Sequence, residues 1–290
     1  GAAFPPESNS GGVGTRIQFE QGRGRSTDDS PDSENFRNST MTRQPNLDAA
    51  FQRQDVLKVI SGLNNFDRAK VCQVINAAAI GGATFVDIAA DPALVKMAKQ
   101  QTSLPICVSA VEPDAFVPCV EAGADLIEIG NFDTFYAQGI RFEATEVLAL
   151  TQQTRKLLPT ITLSVTVPHI LPLDEQVELA SALVEAGANI IQTEGGTSSN
   201  PSHSGTMGLI EKATPTLAAA SSISQAVSVP ILCASGLSKV TVPMAIAAGA
   251  SGVGVGSAIN QLDDEVAMIA TVRGLVEALH TVQRRSIIHA

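Results

Sequence analysis

Gly82-Ala83-Thr84-Phe85-Val86-Asp87-Ile88-Ala89, Gly123-Ala124-Asp125-Leu126-Ile127-Glu128-Ile129-Gly130, Gly187-Ala188-Asn189-Ile190-Ile191-Gln192-Thr193-Glu194 and Gly249-Ala250-Ser251-Gly252-Val253-Gly254-Val255-Gly256 are four copies of one phrase. Each reads as a helix end, a Gly-Ala turn and a short buried strand. A parallel α/β unit closes in this way, with glycine just past the helix and an apolar strand following at once.

Outward from these four, strands and helical patterns alternate from Leu57 onward. Strands are expected near 57–62, 84–89, 105–110, 125–130, 160–166, 189–194, 230–236 and 251–256. Helical periodicity fills the gaps, from Asp67–Ala79 to Asp263–His280. Eight β/α units in about 240 residues predict a (β/α)₈ TIM barrel, a fold of typically about 250 residues, over residues 51–290. A doubly wound open sheet is the alternative; it needs a topological switch that the uniform repeat does not suggest.

Composition agrees with a large aliphatic core, since 44% of the 290 residues are hydrophobic and only 4% aromatic. A net charge of −10 and no basic stripe argue against nucleic acid, whose phosphates need a positive face. No apolar run approaches the roughly 20 residues of a membrane span. Cys72, Cys107, Cys119 and Cys233 form no C-x-x-C pair. Free thiols in a reducing compartment are expected.

Register decides which residues face the barrel interior. The phrases fall on strands two, four, six and eight, and alternate strands supply one interior layer. Asp87, Glu128, Gln192 and Gly254 occupy equivalent inward positions, with Ala89, Gly130, Glu194 and Gly256 one layer higher. Val86, Ile127, Ile191 and Val253 should pack outward against helices. Ionisable groups inside a barrel are costly unless paired or put to use, so Asp87 and Glu128 are candidate catalytic acids or bases. A hydrogen-bonded structural network is the competing reading. Glu194 stands at a strand end before a long loop, as a further candidate or a solvated rim residue. The stretch Glu128-Ile129-Gly130-Asn131-Phe132-Asp133 resembles the strand-end glutamate motif of tryptophan synthase α-subunits, which implies a base role for Glu128, here on strand four rather than two. The odd strands read small and neutral inward. Lys58 is expected at the N-terminal end of strand one, on the stability face, which disfavours a Schiff-base lysine.

Strand seven ends Ala234-Ser235-Gly236 and strand eight ends Gly254-Val255-Gly256-Ser257, a pair that resembles the phosphate-binding loops of many (β/α)₈ enzymes. Glycine lets backbone N–H groups approach an anion, and a helix start behind them adds a favourable dipole. Gly195, Gly196, Ser235, Gly236, Gly256 and Ser257 are the candidate phosphate-binding residues; relief of crowding is the alternative reading of these glycines. The loop from Thr193 to Gly205 is long and polar, as functional barrel loops are. His203 in it is a proton-transfer candidate, and His169 after strand five lies on the same rim. H-E-x-x-H, Walker A and G-x-S-x-G patterns are absent; Asp87 and Glu128 are compatible with Mg²⁺, but neither a metal nor another cofactor is called for.

Lys58-Val59-Ile60-Ser61-Gly62-Leu63-Asn64-Asn65-Phe66-Asp67, Thr193-Glu194-Gly195-Gly196-Thr197-Ser198-Ser199-Asn200-Pro201 and Gly208-Leu209-Ile210-Glu211-Lys212-Ala213 resemble the hypothetical chloroplast reading frame 23 family, over about residues 55–285. That resemblance implies a photosynthetic organism and the plastid stroma; it transfers no catalytic residue. Two functions are expected: a lyase, synthase or isomerase acting on a phosphorylated small molecule, or a non-catalytic accessory subunit of a plastid complex. Residues 1–50 are polar and lack hydrophobic periodicity, as in a tail that would order only on a partner protein. Their opening, Gly1-Ala2-Ala3-Phe4, also resembles a plastid presequence junction.

Overall fold

The computed structural model describes residues 45–288. The expected tail up to residue 44 and its partner docking lie outside these residues. The eight expected strands are present and close into a parallel barrel in chain order. The elements run α1 Pro45–Arg53, β1 Val56–Ile60, α2 Arg68–Gly81, β2 Phe85–Ala89, α3 Pro92–Gln101, β3 Ile106–Ala110, α4 Phe116–Glu121, β4 Leu126–Ile129, α5 Asp133–Tyr136 and α6 Ala144–Leu157. They continue as β5 Thr162–Thr166, α7 Leu173–Glu185, β6 Ile190–Gln192, α8 Gly205–Ile223, β7 Ile231–Ala234, α9 Val242–Ala247, β8 Gly252–Val255, α10 Ser257–Asn260 and α11 Glu265–Ile288. Among the described residues, no helix is long and apolar enough to cross a membrane.

The repeated phrase works by one mechanism in all four copies. Gly82, Gly123, Gly187 and Gly249 take φ of 89°, 108°, 101° and 99°, the left-handed region that ends a helix cheaply only at glycine. The following alanine N–H then returns to a carbonyl five residues earlier: Ala83 to Ala78, Ala124 to Cys119, Ala188 to Leu183 and Ala250 to Ala245. The third residue stitches the new strand to the preceding one. Thr84, Asp125, Asn189 and Ser251 donate their N–H to the carbonyls of Leu57, Ile106, Leu163 and Ile231. Three of them also accept on the side chain from the same partners: Thr84 from Leu57 N, Asp125 from Ile106 N and Asn189 from Leu163 N, at 2.8–2.9 Å. The small polar residue after Gly-Ala therefore locks strand register, which for a period-two element also locks which side chains face inward.

Val86, Ile127, Ile191 and Val253 point outward into the large aliphatic core between strands and helices, as expected. Inside, the lowest layer is apolar: Val56, Phe85, Cys107, Leu126, Ile190 and Leu232 pack together with Leu47, Ala50 and Phe51. Those last three come from α1, which plugs the N-terminal end of the barrel. Residues 45–50, read from sequence as part of the tail, thus belong to a nine-residue helix packed on the barrel, too short a periodic pattern to stand out in a polar segment. Gly252 and Gly254 make room within this interior. A Cβ on Gly252 would lie 2.4 Å from Val56 Cβ, and one on Gly254 would lie 2.9 Å from Ala234 Cβ.

Candidate active site at the barrel mouth

Above the apolar layer lies a buried ionic one. Lys58, Asp87 and Glu128 are each 0% exposed. The Lys58 ammonium stands 2.6 Å from Glu128 Oε2 and 3.6 Å from Asp87 Oδ2, and donates to Gln192 Oε1 at 2.9 Å. Ser109 Oγ donates to Asp87 Oδ1 at 2.6 Å and Ser164 Oγ to Glu128 Oε2 at 2.8 Å. Gln192 Nε2 completes the layer, donating to Glu128 Oε1 at 2.8 Å and Thr166 Oγ1 at 3.2 Å. Two carboxylates against one ammonium leave a net negative charge in a dry interior. Burial accordingly pushes the Asp87 carboxyl up, to about 6, although Lys58 opposes the rise. Burial alone would pull the Lys58 ammonium down, but Asp87 and Glu128 reverse this and hold it protonated.

This corrects the expected place of Lys58. It sits at the middle of β1, faces inward and pairs in register with Gly254 of β8. The odd strands are not uniformly neutral inside. An ammonium locked between two carboxylates is also no nucleophile, since a Schiff base needs the free amine.

One layer higher, three loops converge on Glu194, which is 3% exposed. Tyr136 donates its hydroxyl to Glu194 Oε1 at 2.5 Å, and the Asp133 N–H donates to Oε2 at 3.2 Å. His169 approaches twice, its backbone N–H and its Nδ1 each 3.2 Å from Oε1. The same Nδ1 lies 3.4 Å from Asp133 Oδ1, and His169 Nε2 lies 2.6 Å from Ser198 Oγ. Ser235 Oγ donates to Asp133 Oδ2 at 2.7 Å. Burial raises the Glu194 carboxyl against the pull of His169 and Tyr136. Burial would lower the His169 imidazole, but its hydrogen bond and charge interaction with Glu194 carry it above its ordinary value. Each group of the pair is thus shifted upward by its surroundings. Asp133, His169 and Glu194 also offer three ligand atoms within 4.8 Å of one another, which could hold a metal ion.

These groups open onto a cavity of about 190 Å³ at the C-terminal ends of the strands. Asn131, Asp133, Gln192, Glu194, Thr197, Ser235, Gly236, Gly256, Ser257 and Asn260 are among its lining residues. Barrel active sites lie on this face. The volume is below the roughly 300–1,000 Å³ of drug-sized pockets, so it suits a small molecule. Backbone strain concentrates here too. Asn131 and Ser235 hold φ of 63° and 75°, a region costly for any residue but glycine. Gly196 and Gly236 touch backbone to backbone: a Cβ on Gly196 would lie 2.4 Å from Gly236 Cα.

Of the sequence candidates, Glu194, Ser235, Gly236, Gly256 and Ser257 line this cavity, while Gly196 backs Gly236 from behind. Gly195 (φ 126°) turns the chain away against His169 and Pro215. Asp87 and Glu128 lie beneath the floor, linked to it by Asn131 Nδ2 at 3.4 and 3.3 Å, and their charges are engaged by Lys58. His203 is not brought to the cavity. Its side chain is 64% exposed and pairs with Glu211 at 2.5 Å, closing the loop onto α8. His203 and the nearby backbone N–H groups hold the Glu211 carboxyl down at about 2. Asp133 and Tyr136 were not singled out from sequence, although Asp133 ends the quoted Glu128–Asp133 stretch.

A family model described as Protein of unknown function (DUF561) matches residues 41–285. "Uncharacterized protein ycf23" of Cyanophora paradoxa is 46% identical over 224 residues, covering 77% of this chain and 92% of that protein. Its namesake in Porphyra purpurea is 39% identical over 247 residues, covering 84% and 93%. Among solved structures, thiamine phosphate pyrophosphorylase from Pyrococcus furiosus superposes with a TM-score of 0.53 at 18% identity, covering 80% of this chain and 98% of that one. That last likeness is one of fold. The chain belongs to the ycf23 family, the proteins of unknown function grouped as DUF561.

Proposed function

We propose that the mouth of this barrel binds a small phosphorylated molecule and moves a proton on it, as a lyase, synthase or isomerase. The observation that carries the reading is the sharing of one cavity by two kinds of wall. On one side stand Ser235-Gly236 and Gly256-Ser257, with the Thr197 and Ser235 hydroxyls. On the other stands Glu194, a buried carboxyl with a raised pKa. Glycine-rich strand ends suit a phosphate through their N–H groups. A raised carboxyl hydrogen-bonded to an imidazole suits proton transfer at neutral pH.

In this reading Glu194 takes or gives the proton. His169, positioned by Ser198, and Tyr136 hold Glu194 in place. Asp87 and Glu128, proposed from sequence as acid or base, act from beneath as a fixed ionic support that orients Gln192 and Asn131. Fold alone assigns no chemistry, so the argument rests on the cavity. By family resemblance, the compartment we propose is the plastid stroma, open to organelle fractionation.

Calorimetric titration with inorganic phosphate and with triose and pentose phosphates, in magnesium-containing buffer, tests the binding reading. Wild-type protein should bind at least one of them, and Gly236→Asp, which places a carboxylate against Gly196, should lose at least 10-fold in affinity. No binding to any, or unaltered binding by the variant, would overturn the reading.

A further inference from the structure

We infer that Asp133, His169 and Glu194 bind a divalent cation of the Mg²⁺ or Mn²⁺ class, and that this ion supplies the counter-charge for the anionic ligand of the cavity. The three residues come from three different segments at the strand ends: Asp133 opens α5 after β4, His169 follows β5 and Glu194 follows β6. His169 Nδ1 lies 3.2 Å from Glu194 Oε1 and 3.4 Å from Asp133 Oδ1. Ligand atoms held about 2.0–2.2 Å from one ion, at angles between 90° and 109°, stand about 2.8–3.6 Å apart. Both spacings fall inside that range. The ion would replace the contacts of Nδ1 with the two carboxylates, and in the metal-bound protein Glu194 would serve as a ligand rather than as the proton-transfer group.

The groups outside the trio fix it in this attitude. Ser198 engages the far nitrogen of His169, Ser235 engages the second oxygen of Asp133, and Tyr136 engages Glu194. Metal-ligating histidines are oriented through their other ring nitrogen in the same manner.

A separate observation is the charge of the cavity. Among the described residues its lining includes two carboxylates, Asp133 and Glu194, and no lysine or arginine. Lys58, the ammonium inside the barrel, is buried beneath the floor and engaged by Asp87 and Glu128. A phosphate dianion beside Gly236 would therefore share the cavity with like charge. Mg²⁺ is commonly held by one or two carboxylates together with substrate phosphate, which resolves that repulsion. The mixed oxygen and imidazole set also admits Mn²⁺. The counter-charge half of the inference rests on the phosphate reading above; the metal site itself does not.

The test uses the full-length protein, stripped with chelator and dialysed. Mn²⁺ alone is titrated, with its free signal followed by electron paramagnetic resonance; inorganic phosphate is then titrated calorimetrically with and without Mn²⁺. One Mn²⁺ per chain is expected, with affinity falling at least 10-fold in both Glu194→Gln and His169→Gln. Phosphate affinity should rise at least 10-fold when Mn²⁺ is present. Absence of Mn²⁺ binding, or equal binding by wild type and both variants, overturns the metal site. Equal phosphate affinity with and without Mn²⁺ overturns the counter-charge role and leaves the phosphate reading standing. Phosphate that fails to bind even the Mn²⁺-loaded protein overturns the phosphate reading, while the Mn²⁺ stoichiometry still decides the metal site.

Discussion

Two charged clusters lie one layer apart in this barrel, and they are built on opposite principles. The lower one, Lys58 with Asp87 and Glu128, is 0% exposed and carries its own cation. The upper one, Asp133, His169 and Glu194, borders a cavity and sets two carboxylates against one imidazole. Where a lysine supplies the positive charge, the carboxylates are engaged by it, and we propose that they serve the fold. Where none does, our proposal is that the carboxylates act on something that enters from outside. Burial raises a carboxyl in both clusters, Asp87 below and Glu194 above, so a shifted pKa does not by itself mark the reactive one.

Removing the lower cation breaks the contrast most strongly. Lys58→Met strands two carboxylates in a dry interior, and breaking a buried ion pair in this way costs about 3–5 kcal/mol. Denaturant unfolding at neutral pH measures it. A loss below about 1 kcal/mol would mean that the lower cluster is not the support described.

A smaller effect sharpens the same contrast. Asp87 has a folded pKa of about 6 against an ordinary value of 3.8. A carboxyl raised on folding favours the folded state below its unfolded pKa, near pH 4, and gives up that contribution as pH rises through about 6. Asp87→Asn keeps a neutral group at every pH. Relative to wild type it should be near neutral at pH 4 and stabilising above pH 7, by up to about 3 kcal/mol from the linkage of pKa to free energy. Paired unfolding curves across pH 4–8 check the sign; a difference that does not vary with pH contradicts it.

The barrel was legible because its four Gly-Ala phrases carry register with them. Gly82, Gly123, Gly187 and Gly249 each set the start of a strand, so Asp87, Glu128 and Gln192 could be placed inward by counting. Strand β1 has no such phrase, and counting from Leu57 instead of Val56 misplaced Lys58. The upper cluster was legible only in part. Glu194 ends a phrase and is legible as a candidate, whereas the approach of Asp133, at the start of α5, and of the rim residue His169 depends on how the barrel closes. His203 shows the opposite error, since a reactive residue type in a long polar loop was drawn instead to Glu211 on α8.

The claim that the upper cluster is the reactive one is tested most directly by a crystal structure of the protein with Mn²⁺ and phosphate. The account predicts anomalous density for the metal among Asp133 Oδ1, His169 Nδ1 and Glu194 Oε1, with the phosphate against Gly236 and Gly256. Metal or phosphate lodged instead beside Asp87 and Glu128, with Lys58 displaced from them, would contradict it.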